Sequence, residues 1–172
     1  KTTVGVLSDS FDKLSYLQMP GQTYYANNKE RSINLIELSS SDLKKSLSGL
    51  YFLVIDDYDM SALDSKQIAA IEDWVNQGGW LIIGTGSRGS DMISAFSKGF
   101  LDLAYVSTTE AGTPNEASKI INKHQGDYTA YVNNGVNLQD LAYSEFTYNG
   151  TSGYFSSEHP GWNIQIGQGC AL

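Results

Sequence analysis

The chain is short of charge, of cysteine and of basic side chains, and each shortage removes a class of function. Only 17% of its 172 residues are Asp, Glu, Lys or Arg. The single cysteine, Cys170, excludes an internal disulfide framework and any cysteine-rich zinc site. Lys plus Arg number 11 against 19 Asp plus Glu, a formal charge of −8. That balance leaves no basic face to neutralise a phosphate backbone, so no nucleic-acid partner is expected, nor docking on anionic lipid. No run of about eighteen apolar residues occurs, so the sequence holds no membrane-spanning helix and no direct membrane insertion is expected. Nothing in the spacing of His124 and His159 makes them a metal pair.

What is present is 41% apolar residues, enough for the core of one domain over residues 1–172. The polar surface must come from Ser, Asn, Thr, Gln, Gly and the 11 Tyr, a balance common in secreted bacterial domains, and an extracellular or cell-surface location is expected. Lys1-Thr2-Thr3 leads straight into an apolar strand pattern, which suggests that a leader has been removed or the chain trimmed. At the other end Trp162 to Ile166 alternates like a strand, Gly167-Gln168-Gly169 reads as a turn, and Cys170-Ala171-Leu172 begins a return strand. A fragment of a longer protein is therefore expected.

Strands are read at Thr3 to Leu7, Ile33 to Leu38, Tyr51 to Ile55 and Trp80 to Ile83. The third is apolar at every position, as in a parallel sheet covered on both faces. Phe11 to Arg31 reads as a loop with one helical turn near Tyr16. A short helix spans Asp42 to Leu47, capped by Ser41. The clearest helix follows Asp64, with Gln67 completing a capping box, a stripe of Ile68, Ile71, Trp74 and Val75, and Gly78-Gly79 at its end. Further on come a helix opening at Ser90 or Asp91, a strand over Leu101 to Val106, a helix over Asn115 to Lys123, and strands at Tyr128 to Val132 and Phe146 to Tyr148. The alternation predicts an α/β three-layer sandwich with a mostly parallel central sheet and antiparallel strands at its C-terminal edge.

Leu53-Val54-Ile55-Asp56-Asp57, the helix from Leu63 to Gln77, and Gly78-Gly79-Trp80-Leu81-Ile82-Ile83-Gly84 resemble the class I glutamine amidotransferase-like superfamily, a flavodoxin-like fold. More narrowly, they are similar to its non-amidotransferase branches in bacterial surface and transport-associated proteins. Gly167-x-Gly169 before a final apolar strand fits the same pattern. In true amidotransferases the turn after the strand reads Gly-x-Cys-x-Gly, with the Cys in a strained elbow activated by a distant His. With Gly84 aligned to the first Gly, the nucleophile position falls on Gly86, which has no side chain to attack with. The resemblance thus implies the fold without glutamine hydrolysis.

Four chemistries can be placed on these residues. Thr85-Gly86-Ser87-Arg88-Gly89 approximates a hydrolase elbow with Ser87 as nucleophile and His124 or His159 as base, against Ser87 as a plain loop residue. Gly84-x-Gly86-x-x-Gly89 matches a dinucleotide fingerprint, but it follows a late strand and Asp102 is too near to serve as its acidic partner; a small anion helped by Arg88 fits better. Asp9, Asp56, Asp57 and Asp59 close strands on one sheet edge and form an acidic pocket, with Asp9, Asp56 and Asp57 as metal ligands against simple turn capping. Tyr24, Tyr25, Tyr128, Tyr131, Tyr143, Tyr148, Tyr154, Phe155 and Trp162 suit carbohydrate or protein contact, against covering of the sheet edges. The expected function is non-catalytic binding or scaffolding, with a protein, small-molecule or carbohydrate ligand held by Asp9, Asp56, Asp57, Gly84, Thr85, Gly86, Ser87 and Arg88. No cofactor is expected.

Overall fold

The computed structural model describes residues 1–18, 24–26, 29–110, 112–123, 142–148, 153–155, 162–166 and 169–171. The sheet is built on β1 (Thr2–Ser8), β4 (Ile33–Glu37), β5 (Phe52–Asp56) and β6 (Trp80–Gly84). Its far side is formed by β9 (Gly153–Phe155), β10 (Trp162–Ile166) and β11 (Gly169–Ala171). The seven strands run in the order β4-β1-β5-β6-β11-β10-β9. From β4 to β11 every pairing is parallel, whereas β10 pairs antiparallel with β11 and with β9. Taken in chain order, the parallel strands follow the 2-1-3-4-5 arrangement of flavodoxin-like sheets. The return strand read at Cys170 is β11, and it enters the sheet between β10 and β6.

Both faces of the sheet are covered, which is why β5 is apolar from Phe52 to Ile55. Leu53 and Ile55 on β5, with Leu7 and Leu81 from its neighbours, pack beneath the helical layer of α1 (Leu43–Ser46) and α2 (Ser65–Asn76). Ile68, Ile71 and Val75 of α2 are buried there and Trp74 packs at the margin, as the stripe requires. On the opposite face Val4, Val6 and Leu35 are covered by Phe11, Leu14 and Leu17, which lie in a 3-10 segment, Phe11–Gln18. That segment contains the helical turn expected near Tyr16, while a small antiparallel pair, β2 (Tyr24–Ala26) and β3 (Lys29–Arg31), stands where the sequence reads only loop. Three-residue strands carry too little periodicity to be seen in sequence.

Local capping decides where α2 begins. Asp64 Oδ1 accepts from Lys66 N and Gln67 N, both at 2.8 Å, while Gln67 Oε1 accepts from Asp64 N at 2.7 Å. Ser41 does not cap α1. Its hydroxyl bonds Ser39 Oγ, which donates to Asp42 Oδ2, so the hydroxyls serve one another rather than the helix amides.

After β6 come α3 (Gly89–Ser94), β7 (Leu103–Glu110), α4 (Pro114–Lys123) and β8 (Ala142–Tyr148). β7 and β8 form a separate antiparallel pair with a bulge between Tyr105 and Ser107. β7 starts two residues later than the sequence suggests. Leu101 is committed to the core, and Asp102 adopts a left-handed φ of 54° that breaks extended geometry. The strand read at Tyr128 to Val132 lies outside the described residues. Among the described residues no helix is long and apolar enough to cross a membrane.

Candidate functional site

Parallel order places the C-terminal ends of β1, β5 and β6 on one edge of the sheet. The crevice of such a sheet opens where consecutive connections leave in opposite directions. Here that point lies between β1 and β5, since β4 flanks β1 on one side and β6 flanks β5 on the other. Ser8 is in register with Asp56, and Asp56 with Gly84. The residues that follow continue the pairing, with Asp9 N donating to Asp57 O at 3.4 Å and Asp57 N to Gly84 O at 3.5 Å. Asp9, Asp56, Asp57 and the glycine-rich loop, 79 residues apart at their extremes, therefore meet at the crevice.

Arg88 closes that crevice. Its Nη1 donates to Asp9 Oδ2 at 2.8 Å and its Nε lies 3.5 Å from Asp57 Oδ1. Asp9 Oδ2 also accepts from Asp59 N at 3.2 Å. Asp57 reaches the guanidinium from a left-handed backbone, φ 46°, which Asp tolerates better than most side chains. The bond to Asp9, opposed by desolvation and helped by the charges of Asp57, Asp9 and Asp59, holds the Arg88 pKa above its ordinary value. Asp59 is a turn cap, as its sequence neighbourhood suggests: its Oδ1 accepts from Ser61 N at 3.0 Å and from Ser61 Oγ at 2.7 Å, and these bonds lower its pKa. Burial, then the Asp9 and Asp59 charges, push the Tyr58 hydroxyl up.

Asp56 is the half-buried carboxylate of the group. Desolvation and then Asp57 raise its pKa, offset by Lys13. Its carboxylate lies against Gly84, where any Cβ would collide with Asp56 Oδ1. With the guanidinium against Asp9 and Asp57, the acidic edge is an ion-pair cluster. Among the described residues Asp9, Asp56 and Asp57 do not form a group that could hold a metal ion.

The loop's glycines have structural reasons of their own. Gly84 makes room for Asp56. Gly86 adopts φ +46°, in the left-handed region. Gly89 is buried against Ser144 and Phe146 of β8, with Phe146 Cζ 3.1 Å from where a Cβ would stand. Ser144 Oγ donates to Gly86 O at 2.7 Å, so the β7–β8 pair holds the loop. Sequence reasoning missed this support: Ser144 lies 58 residues from Gly86, and a lone serine in a strand carries no signal of it.

Ser87 is exposed in the 3-10 turn Gly86–Arg88, and its hydroxyl has no hydrogen-bond partner among the described residues. The left-handed position is Gly86, one residue before it. Thr85 precedes the turn without a side-chain cap. His124, His159, Tyr128 and Tyr131 lie outside the described residues. The other aromatics weighed for ligand contact or edge covering sit on β2 (Tyr24, Tyr25), β8 (Tyr143, Tyr148), β9 (Tyr154, Phe155) and β10 (Trp162). Cys170 pairs with Trp80, at the opposite end of the five-residue β6 from Gly84. At about 3.3 Å per residue that is roughly 13 Å along the strand, too far for a cysteine side chain to span.

Comparison with known proteins finds no matching family, no curated relative and no similar solved structure.

Proposed function

We propose that this chain is a non-catalytic binding or scaffolding domain of amidotransferase-like type, part of an extracytoplasmic bacterial protein. The observation that carries the reading is Gly86. It takes a left-handed conformation, as an elbow does, at the position where the resemblance puts the nucleophile, and it offers bare backbone there. The thiol of the chain belongs to the other end of the sheet, and α3 begins directly after the turn, as a strand–elbow–helix arrangement requires. The secreted character rests on the composition, with few charges and many Tyr, Ser and Asn.

The ligand or partner binds over the crevice at Asp9, Asp56, Asp57 and the Gly84 to Arg88 loop. Carboxylates beside a guanidinium offer both acceptors and donors at one spot. That suits a hydroxyl-rich ligand such as a carbohydrate, or a polar protein surface.

Three measurements test this on one sample. Incubation with glutamine should release no ammonia, and a fluorophosphonate probe should leave Ser87 unlabelled. Titration with mono- and disaccharides should shift the amides of Asp9, Asp56 to Asp59 and Gly84 to Arg88. Ammonia release would overturn the reading, and labelling of Ser87 would replace it with a serine hydrolase using His124 or His159 as base.

A further inference from the structure

A second recess lies apart from the crevice, between α3 and the start of β7. It is a half-open hollow of about 520 Å³, within the range of about 300–1,000 Å³ usual for small-molecule sites. Ile93, Phe96 and Leu103 give it an apolar wall, and Lys98, Asp102 and Tyr105 supply polar groups. Lys98 and Asp102 line the same recess with opposite charges, yet form no ion pair with each other or with any other described residue. Asp102 holds a left-handed backbone, φ 54°.

Counting hydroxyl protons assigns the role of Tyr105. Ser144 Oγ has one proton and donates it to Gly86 O at 2.7 Å. The 2.9 Å bond between Thr108 Oγ1 and Ser144 Oγ must then be donated by Thr108. With that proton committed, the 2.9 Å bond between Tyr105 and Thr108 is donated by Tyr105. The phenolic oxygen is left only its acceptor capacity. The bulge makes this possible: residues three apart on a regular strand face opposite sides, and the extra residue between Tyr105 and Ser107 brings Tyr105 and Thr108 to the same side.

Beside Ser90, Ser94 and Ser97, the recess is lined by one carboxylate, Asp102, one cationic donor, Lys98, the side chain of Tyr105, and a greasy wall. An organic cation alone would be repelled by Lys98, and an organic anion alone by Asp102. We infer that the recess binds a small apolar zwitterion, a free amino acid or dipeptide with a hydrophobic side chain. Its ammonium faces Asp102 and Tyr105, its carboxylate faces Lys98, and its side chain lies against Phe96 and Leu103.

The probe is L-phenylalanine, followed by amide shifts in the full chain. It should shift amides between Ser90 and Tyr105. N-acetylphenylalanine, which lacks the ammonium, and phenylalaninamide, which lacks the carboxylate, should each bind about tenfold more weakly, as expected for loss of a charged hydrogen bond. Asp102→Asn should weaken phenylalanine about tenfold. Asn also tolerates the left-handed backbone, so the variant keeps the fold. Lys98→Met should weaken phenylalanine while tightening phenylalaninamide, whose ammonium no longer meets the Lys98 charge. Absence of shifts in this segment would overturn the inference. So would equal binding of the three probes, or an unchanged affinity in Asp102→Asn.

Discussion

Arg88 Nη1 stands 2.8 Å from Asp9 Oδ2, joining the loop after β6 to the loop after β1 across the strand between them. Arg88 is 38% exposed and Asp9 44%, so water screens the pair and it adds little to global stability. Its effect is local: it holds the glycine-rich loop over the crevice. Arg88→Gln is expected to leave the urea midpoint nearly unchanged while speeding amide exchange from Gly86 to Gly89, and raised salt should do the same to the unmodified chain. A midpoint that fell as far as after truncation of a core residue would show the pair to be a global support instead.

Asp56 gives the crevice a pH dependence of defined sign. Its folded pKa lies above the ordinary 3.8, so between the unfolded and folded values the native chain holds the extra proton. Stability from this group therefore falls as pH rises through that window, and the penalty is fully present above it. Asp56→Asn is expected to raise the melting temperature at neutral pH, with the gain fading as pH is taken below 3.8. Asp59 works in the opposite sense: its lowered pKa contributes stability above 3.8 that is lost as pH falls through its folded value. Melting curves of both proteins across the acid range check this, and a gain that grew toward low pH would refute the assignment.

Gly89 and Ser144 form a close contact that leaves no room for a methyl group. Gly89→Ala places a Cβ against Ser144 Oγ, and 2.6 Å from Ser144 Cβ, and is expected to destabilise by about 1–3 kcal/mol through overpacking. Ser144→Gly in the same chain removes the obstructing atoms and should recover part of that loss, although Gly86 O then loses its donor. Denaturant titration of the two single variants and the double variant gives the coupling, and strict additivity would mean that the contact does not limit packing.

Asp64→Ala removes the acceptor for two amides at the start of α2. A loss of about 1 kcal/mol is expected by urea denaturation, with the far-ultraviolet spectrum kept because Ile68, Ile71 and Val75 still anchor the helix. Gln67→Ala should cost at least as much, since its Nε2 also donates to Ser40 O at 2.6 Å. A negligible effect for both would show that the cap adds nothing to tertiary anchoring.

Much of this architecture was legible because its causes are local. The capping box at Asp64, the apolar stripe of α2 and the apolar run Phe52 to Ile55 of β5 each need only a few neighbouring residues, and the parallel α/β order follows from their alternation. The acidic edge was legible too, since Asp56 ends a strand, Asp9 and Asp57 each follow one, and parallel strands end on the same side. The β2–β3 hairpin and the start of β7 were not, because a three-residue strand and a single left-handed Asp leave no periodic trace.

Residue order alone settled helix α2, the strands β1, β4, β5 and β6, and which edge of the sheet carries the carboxylates. Folding in three dimensions decided what those groups do. It put the Arg88 guanidinium against Asp9 and Asp57, set Ser144 beneath Gly86, and brought Tyr105 and Thr108 to one side of a bulged strand. The physical reason is range. Periodicity and capping act over a few residues, whereas ion pairs and buried hydroxyl chains join groups whose separation in sequence, 79 residues for Asp9 and Arg88, carries no information about their distance in space.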